Sequence, residues 1–151
     1  MHEGGYRAPF LVRHPRLVEP GVTEQQFRFF DMLETVADIA GVPSARRPSS
    51  DGQSVLPTLL GRAQPQPATG YWEYCKPNEL KDGWGQALRR GDWKLLRLVN
   101  HSQDRLLLFD LGADPSEAHD VSSQHPDLVR SMHAEMQAQH APDPYCHPFS
   151  G

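Results

Sequence analysis

Asp82-Gly-Trp-Gly-Gln-Ala-Leu-Arg-Arg-Gly-Asp-Trp-Lys-Leu-Leu-Arg-Leu-Val-Asn100, followed after a polar break by Arg105-Leu-Leu-Leu-Phe-Asp-Leu-Gly-Ala-Asp-Pro-Ser-Glu117, is the stretch that decides the fold. Gly91-Asp92 is a two-residue turn between apolar runs, which is a hairpin signal. The polar break from Asn100 to Asp104 has the length of a loop. The pattern predicts a small antiparallel meander that ends in the turn sequence Asp114-Pro115-Ser116-Glu117. In its last strand Leu107, Phe109 and Leu111 share one face and Leu106 and Leu108 the other. In the middle strand Trp93, Leu95 and Val99 oppose Leu96 and Leu98. A sheet in a small isolated domain is apolar on one face only; this one is apolar on both.

Outward from the meander, Gly70-Tyr71-Trp72-Glu73-Tyr74 reads as a further strand and Cys75 to Gly83 as a charged loop. Pro126 suits the first position of a helix. Leu128, Val129, Met132 and Met136 then make a stripe running to about Gln139, which covers one sheet face. The other face needs a partner that this chain only partly contains. The tail from His140 is too proline-rich for regular structure.

Upstream, Glu3-Gly4-Gly5-Tyr6-Arg7-Ala8-Pro9 leads into Phe10-Leu11-Val12, an apolar run without alternation. Such a run predicts a strand buried on both faces, yet the next fifty residues supply no neighbouring strand. Asp31 and Glu34 have capping-box spacing, with Asp31 as N-cap. Phe29, Leu33, Val36 and Ala40, with Met32 and Ile39 beside them, form one face of a helix. Gly41 and Pro43 stop it. Val55 to Gly61 predicts one or two helical turns. The Pro/Gln/Ala stretch 63–69 reads as a linker, which divides the chain into 1–62 and 70–151.

The 151 residues fit one small domain or pieces of two. A net charge of −4 points away from a nucleic-acid partner. No apolar run approaches the ~20 residues of a membrane span, and Met1-His-Glu-Gly-Gly has neither the basic nor the apolar region of a signal peptide. Two cysteines, Cys75 and Cys146, are too few for a disulfide framework, though one bridge between them stays open.

Taken in order, these segments resemble the C-terminal end of an arylsulfatase-type sulfatase. Glu3-Gly4-Gly5-Tyr6-Arg7-Ala8-Pro9 resembles the family's E-G-G-x-R-x-P segment. Asp31-Met-Leu-Glu-Thr to Gly41 is similar to its D-x-x-P-T helix, with Glu34 where proline is usual. Asp51-Gly52-Gln53-Ser54 resembles D-G-x-S. Gly91-Asp92-Trp93-Lys94-Leu95, Phe109-Asp110-Leu111, Asp114-Pro115-x-Glu117 and His125-Pro126 complete the run. The resemblance implies an α/β fold. It would be the tail of an alkaline-phosphatase-like domain (1–62), then a small α+β subdomain (70–151) of about four antiparallel strands and one C-terminal helix. The strand at Phe10 would then belong to the large sheet. The uncovered face of the small sheet would pack on the missing N-terminal sulfatase part or on another chain.

For activity, the resemblance implies sulfuric ester hydrolysis. In the full-length family the nucleophile is a formylglycine made within C/S-x-P-x-R, and a divalent cation, usually calcium, acts as Lewis acid. This chain carries neither part. Cys75-Lys-Pro-Asn-Glu79 has glutamate where arginine must be, the metal-binding aspartates are absent, and no catalytic or metal-ligating residue is expected. The chain is therefore expected to be inactive alone, with any export signal for the periplasm or exterior lying upstream. Trp72, Tyr74 and Trp84 are candidates for substrate access, weighed against core packing, with Trp84 the most exposed of the three. Glu3 and Arg7 would fix a loop beside the active site. Arg89, Arg90 and Lys94 read as a solvated strand face. His133, His140, Cys146 and His147 fit no common zinc pattern. Two other functions stay open: a non-catalytic carbohydrate- or protein-binding module from a split or decayed gene, and a phosphate or phosphonate ester hydrolase of the same superfamily.

Overall fold

The computed structural model describes residues 1–75, 84–100 and 103–142. The chain divides into two compact units: Met1–Ala8 with Ala68–Gly151, and Pro9–Pro67. The division near residue 67 falls inside the stretch read as a linker. The first eight residues, however, belong with the sheet and not with the segment that follows them.

The sheet unit is a meander of four antiparallel strands in sequential order: β1 (Gly70–Cys75), β2 (Trp84–Arg90), β3 (Trp93–Asn100) and β4 (Gln103–Asp110). Arg90 pairs with Trp93 across the Gly91-Asp92 turn, and Gly91 takes a φ of 61°. A glycine with positive φ at the first central position suits the twist of a two-residue hairpin. The break predicted at Asn100 to Asp104 is shorter than expected. Gln103 and Asp104 already pair with Asn100 and Val99, because Arg97 grips the Asp104 carboxylate and keeps this polar end in the ladder.

Strand alternation sorts the apolar residues into two layers. Leu88, Leu95 and Leu108 line one face and meet Met132 and Met136 of the long helix α4 (Pro126–Gln139), with Leu128 and Val129 beside them. Pro126 stands at the helix start as expected. Arg90 ties sheet to helix through Glu135 at 3.1 Å. Ala87, Leu96, Phe109 and Leu111 line the opposite face, and there Met1 packs against them with Trp72 and Leu107. Part of the second face is therefore occupied by the chain's own Met1, while Tyr74 on that face stays 49% exposed.

The Pro9–Pro67 unit is held by polar contacts more than by a core. Its helix α2 (Asp31–Ile39) begins one residue earlier than a capping aspartate requires. Asp31 does not cap it. It lies inside the first turn, and its buried carboxylate accepts from the Arg28 backbone and guanidinium and from the Gln53 N–H. Glu34 likewise serves Arg47 at 3.0 Å instead of a capping box. The stop at Gly41 is as predicted. Gly41 has φ 67°, its N–H bonds Asp38 O, and Val42 N–H bonds Ala37 O, a Schellman end. A short helix α3 (Leu56–Leu59) follows. No strand forms at Phe10 to Val12: Leu11 is 92% exposed, since a doubly buried strand needs neighbours that the unit does not contain. Val22 and Phe29 are equally open, at 96% and 90%.

Candidate functional site

The turn that precedes the sheet in sequence and the turn that follows it meet on the second sheet face. The single helical turn α1 (Glu3–Tyr6) points the Glu3 side chain inward. From β3, Lys94 points to the same face and has no exposed surface. Its ammonium lies 2.9 Å from Glu3 Oε1 and 2.6 Å from Glu117 Oε1. Arg89 of β2 lies 3.5 Å from the other Glu3 oxygen. The Glu3 backbone N–H donates to Glu117 Oε2 at 2.7 Å, and His2 Nδ1 lies 2.9 Å from that same oxygen. Two carboxylates thus meet the buried Lys94 ammonium, with Arg89 beside Glu3. A buried ion left without such partners costs several kcal/mol.

Glu117 reaches this place at a backbone cost. Its φ is 55°, the left-handed region that a glutamate adopts at about 1–2 kcal/mol. The Asp114-Pro115-Ser116-Glu117 turn holds it there. Glu117 N–H bonds Asp114 O, and the Asp114 carboxylate accepts from Ser116 Oγ and from the His119 N–H. Burial pushes the Glu117 carboxyl up. The Lys94 ammonium, the Glu3 N–H and His2 outweigh it and hold the group below its ordinary 4.5.

The residues singled out in the sequence are distributed differently from expectation. Glu3 is central to this cluster. Arg7 stands at its rim, 4.0 Å from Glu3 and largely exposed. Lys94, read as solvated, is wholly buried; a lysine in an alternating strand looks exposed until its distant carboxylate partners are known. Trp84, expected to be the most exposed aromatic, is 5% exposed. It lies on the helix-covered face, opposite to Trp72 and Tyr74, with its indole N–H donating to Glu73 Oε1 at 3.2 Å. Trp72 packs into the second face, and Tyr74 is 49% exposed. The three aromatics therefore do not converge on one surface. The buried role of Glu117 has no sequence signal beyond its place in the Asp114-Pro115-Ser116-Glu117 turn.

A second polar group closes the helix-covered face. Glu73 accepts from Trp84, from the Tyr71 hydroxyl and from His140 Nδ1 at 3.0 Å. Gln86 Nε2 donates to the Tyr71 oxygen at 2.6 Å. Burial, with the Glu73 carboxylate next to it, raises the Tyr71 phenol far above its usual range. The Arg97 guanidinium, 5.8 Å over the Trp84 ring, holds the Asp104 carboxyl low. Cys75, at the end of β1, is disulfide-bonded. Cys146 and His147 of the weighed zinc set lie outside the described residues. His133 faces Gln137 and His140 faces Glu73.

A hard cation needs several oxygen ligands from acidic, amide or carbonyl groups. Among the described residues no three His, Cys, Asp or Glu side chains are grouped so as to hold a metal ion. The described residues therefore do not fit a hard-cation site.

The family model for "N-sulphoglucosamine sulphohydrolase, C-terminal" matches residues 1–141. The chain belongs to the sulfatase family. As a sulfatase C-terminal region it is 30% identical over 145 residues to an N-acetylgalactosamine-6-O-sulfatase of Bacteroides thetaiotaomicron, covering 87% of this chain and 27% of that protein. It is 27% identical to human arylsulfatase A, covering 87% of this chain and 30% of the relative. A solved structure from work on the metabolism of multiple glycosaminoglycans by Bacteroides thetaiotaomicron superposes with TM-score 0.61 at 25% identity, over 82% of this chain and 27% of that one. The chain spans under a third of the length of these relatives. The fold is the mixed α/β fold of sulfatases, with the four-stranded antiparallel sheet and C-terminal helix in their expected order.

Proposed function

We propose that this chain works as the C-terminal part of a sulfuric ester hydrolase, supplying fold and substrate access while the reacting groups come from the remainder of the enzyme. The observation that carries this reading is the family match over residues 1–141 beside coverage of only 27% of the N-acetylgalactosamine-6-O-sulfatase. In the whole enzyme a formylglycine would supply the nucleophile and a calcium ion would polarise the sulfate. Neither is assigned to residues of this chain. The sulfatase names of the relatives support sulfate esters over phosphate or phosphonate esters. They also support a hydrolase part over a free-standing binding module.

The open apolar surface of the Pro9–Pro67 unit, with Leu11, Val22, Phe29 and Ile39, supports docking onto the remaining sulfatase part. Of the aromatics considered for substrate access, Tyr74, 49% exposed, would be the one to meet a ligand, with Trp72 on the same sheet face. Buried Trp84 would not touch a ligand. Glu3 and Arg7 would set the loop that borders the active site. The test is hydrolysis of an aryl sulfate by the purified chain, by the upstream sulfatase part, and by the two co-expressed. Turnover only by the pair, with co-purification, is the expected result. Turnover by the 151-residue chain alone, above contamination, would overturn the reading, as would a fully active upstream part that ignores the chain.

A further inference from the structure

The second sheet face meets Met1–Ala8 through two unrelated devices, one of shape and one of charge. Gly85 of β2 leaves room for the first side chain: a Cβ there would stand 2.7 Å from Met1 Sδ. Gly85 has no positive φ to explain the glycine, so what the missing side chain provides is space for Met1. Two residues further on, the Glu3 carboxylate meets Lys94, and the Glu3 N–H meets Glu117. The segment contributes an apolar anchor, a spacer and an acid. The sheet contributes a notch, a buried cation and a buried acceptor.

We propose that this face is a recognition site for a segment of the form Met-x-Glu, filled here by Met1–Ala8, with Lys94 as the residue that selects the acid and Gly85 as the one that admits the apolar anchor. The inference goes beyond the proposed function and stands without it, because it concerns contacts within the sheet unit. Three features favour a separable docking event over ordinary core packing. The segment makes a single helical turn of its own. Gly4 and Gly5, just past the acid, are exposed, with no atom within 4 Å of where a Cβ would be. The chain then leaves for the Pro9–Pro67 unit, so the segment has a different continuation from the sheet that holds it. A segment attached this way opens locally without unfolding its host.

The experiment is amide hydrogen exchange by NMR on the full 151-residue chain and on two variants, Glu3→Gln and Gly85→Ala. The reporter is the backbone N–H of residue 3. In Glu3→Gln its exchange is expected to rise about tenfold to hundredfold, the scale of losing one charge-assisted hydrogen bond; in Gly85→Ala, which only displaces the Met1 thioether, a smaller rise of about threefold or more is expected. The amides of Leu88 and Leu95 should keep their rates. Adding a synthetic peptide of residues 1–8 to Glu3→Gln should shift the signals of Lys94 and Leu96, and a peptide with glutamine at its third position should not. Parallel acceleration of residue 3 and the strand amides would reduce the contact to general stability and overturn the proposal. So would unchanged exchange in both variants. Should Glu3→Gln fail to fold, Gly85→Ala, which touches no charge, decides alone.

Discussion

Glu117→Gln separates the charge of the buried cluster from its shape. A glutamine still accepts from the Glu3 N–H, and Lys94 keeps Glu3 at 2.9 Å. Breaking a buried pair outright costs about 3–5 kcal/mol. Because one carboxylate remains, the expected loss at pH 7 is about 2 kcal/mol, the scale of a hydrogen bond to a charged group. The folded Glu117 carboxyl lies below its ordinary 4.5, so its ionised form favours folding. That contribution is complete above the unfolded value and disappears as pH falls through the folded one. The difference between the unsubstituted chain and Glu117→Gln should hold steady at neutral pH and shrink once pH drops below 4.5. Urea unfolding followed by tryptophan fluorescence suits the measurement, since Trp72, Trp84 and Trp93 all lie in the sheet unit. A difference below about 0.5 kcal/mol at pH 7, or one that stays constant from pH 7 to pH 3, would refute a buried ionised Glu117.

Three further substitutions probe other parts of the molecule. Leu96→Ala empties a fully buried site on the second sheet face and should cost about 2–5 kcal/mol in the same unfolding assay. Gly91→Ala puts a side chain at φ 61° in the hairpin turn, and the expected loss is about 1 kcal/mol. Phe29→Ser replaces an almost fully exposed ring in the Pro9–Pro67 unit. It should leave unfolding within about 0.5 kcal/mol while lowering binding of an apolar dye, and undiminished dye binding would place the sticky surface elsewhere.

The meander was legible because its signals are local. Alternation assigns Leu95 and Leu96 to opposite faces, Gly91-Asp92 marks the turn, and Pro126 opens the helix. The end of α2 was legible for the same reason, in the pairing of Gly41 with Pro43. The errors came from residues whose surroundings are set by distant parts of the chain. Lys94 reads as a solvated strand lysine, since its partners stand 91 residues before it and in a turn well after it. Asp31 has capping spacing, but Arg28 and Gln53 compete successfully for its carboxylate. Trp84 sits next to glycines that suggest a turn, yet it pairs with Cys75 and Val99 inside the sheet. Phe10 to Val12 has strand composition without strand neighbours. The family resemblance placed the motifs in order and left unstated that three of them, at Glu3, Lys94 and Glu117, meet in space.

That meeting has a consequence for how the molecule is made. The hydrogen bond from the Glu3 N–H to Glu117 spans 114 residues, nearly the whole chain. At a synthesis rate of about 5–20 residues per second, the Glu3 turn is made roughly 6–23 s before its acceptor exists. Through much of that interval Met1 and Glu3 have no complete sheet to dock on, while the Pro9–Pro67 unit, with polar ties such as Gln66 to Glu24 that span 42 residues, is free to form. Closing so long a loop is slow compared with local structure. For the Glu3 turn, docking therefore waits on a residue made 114 positions later. A segment made early is thus among the last to take its place.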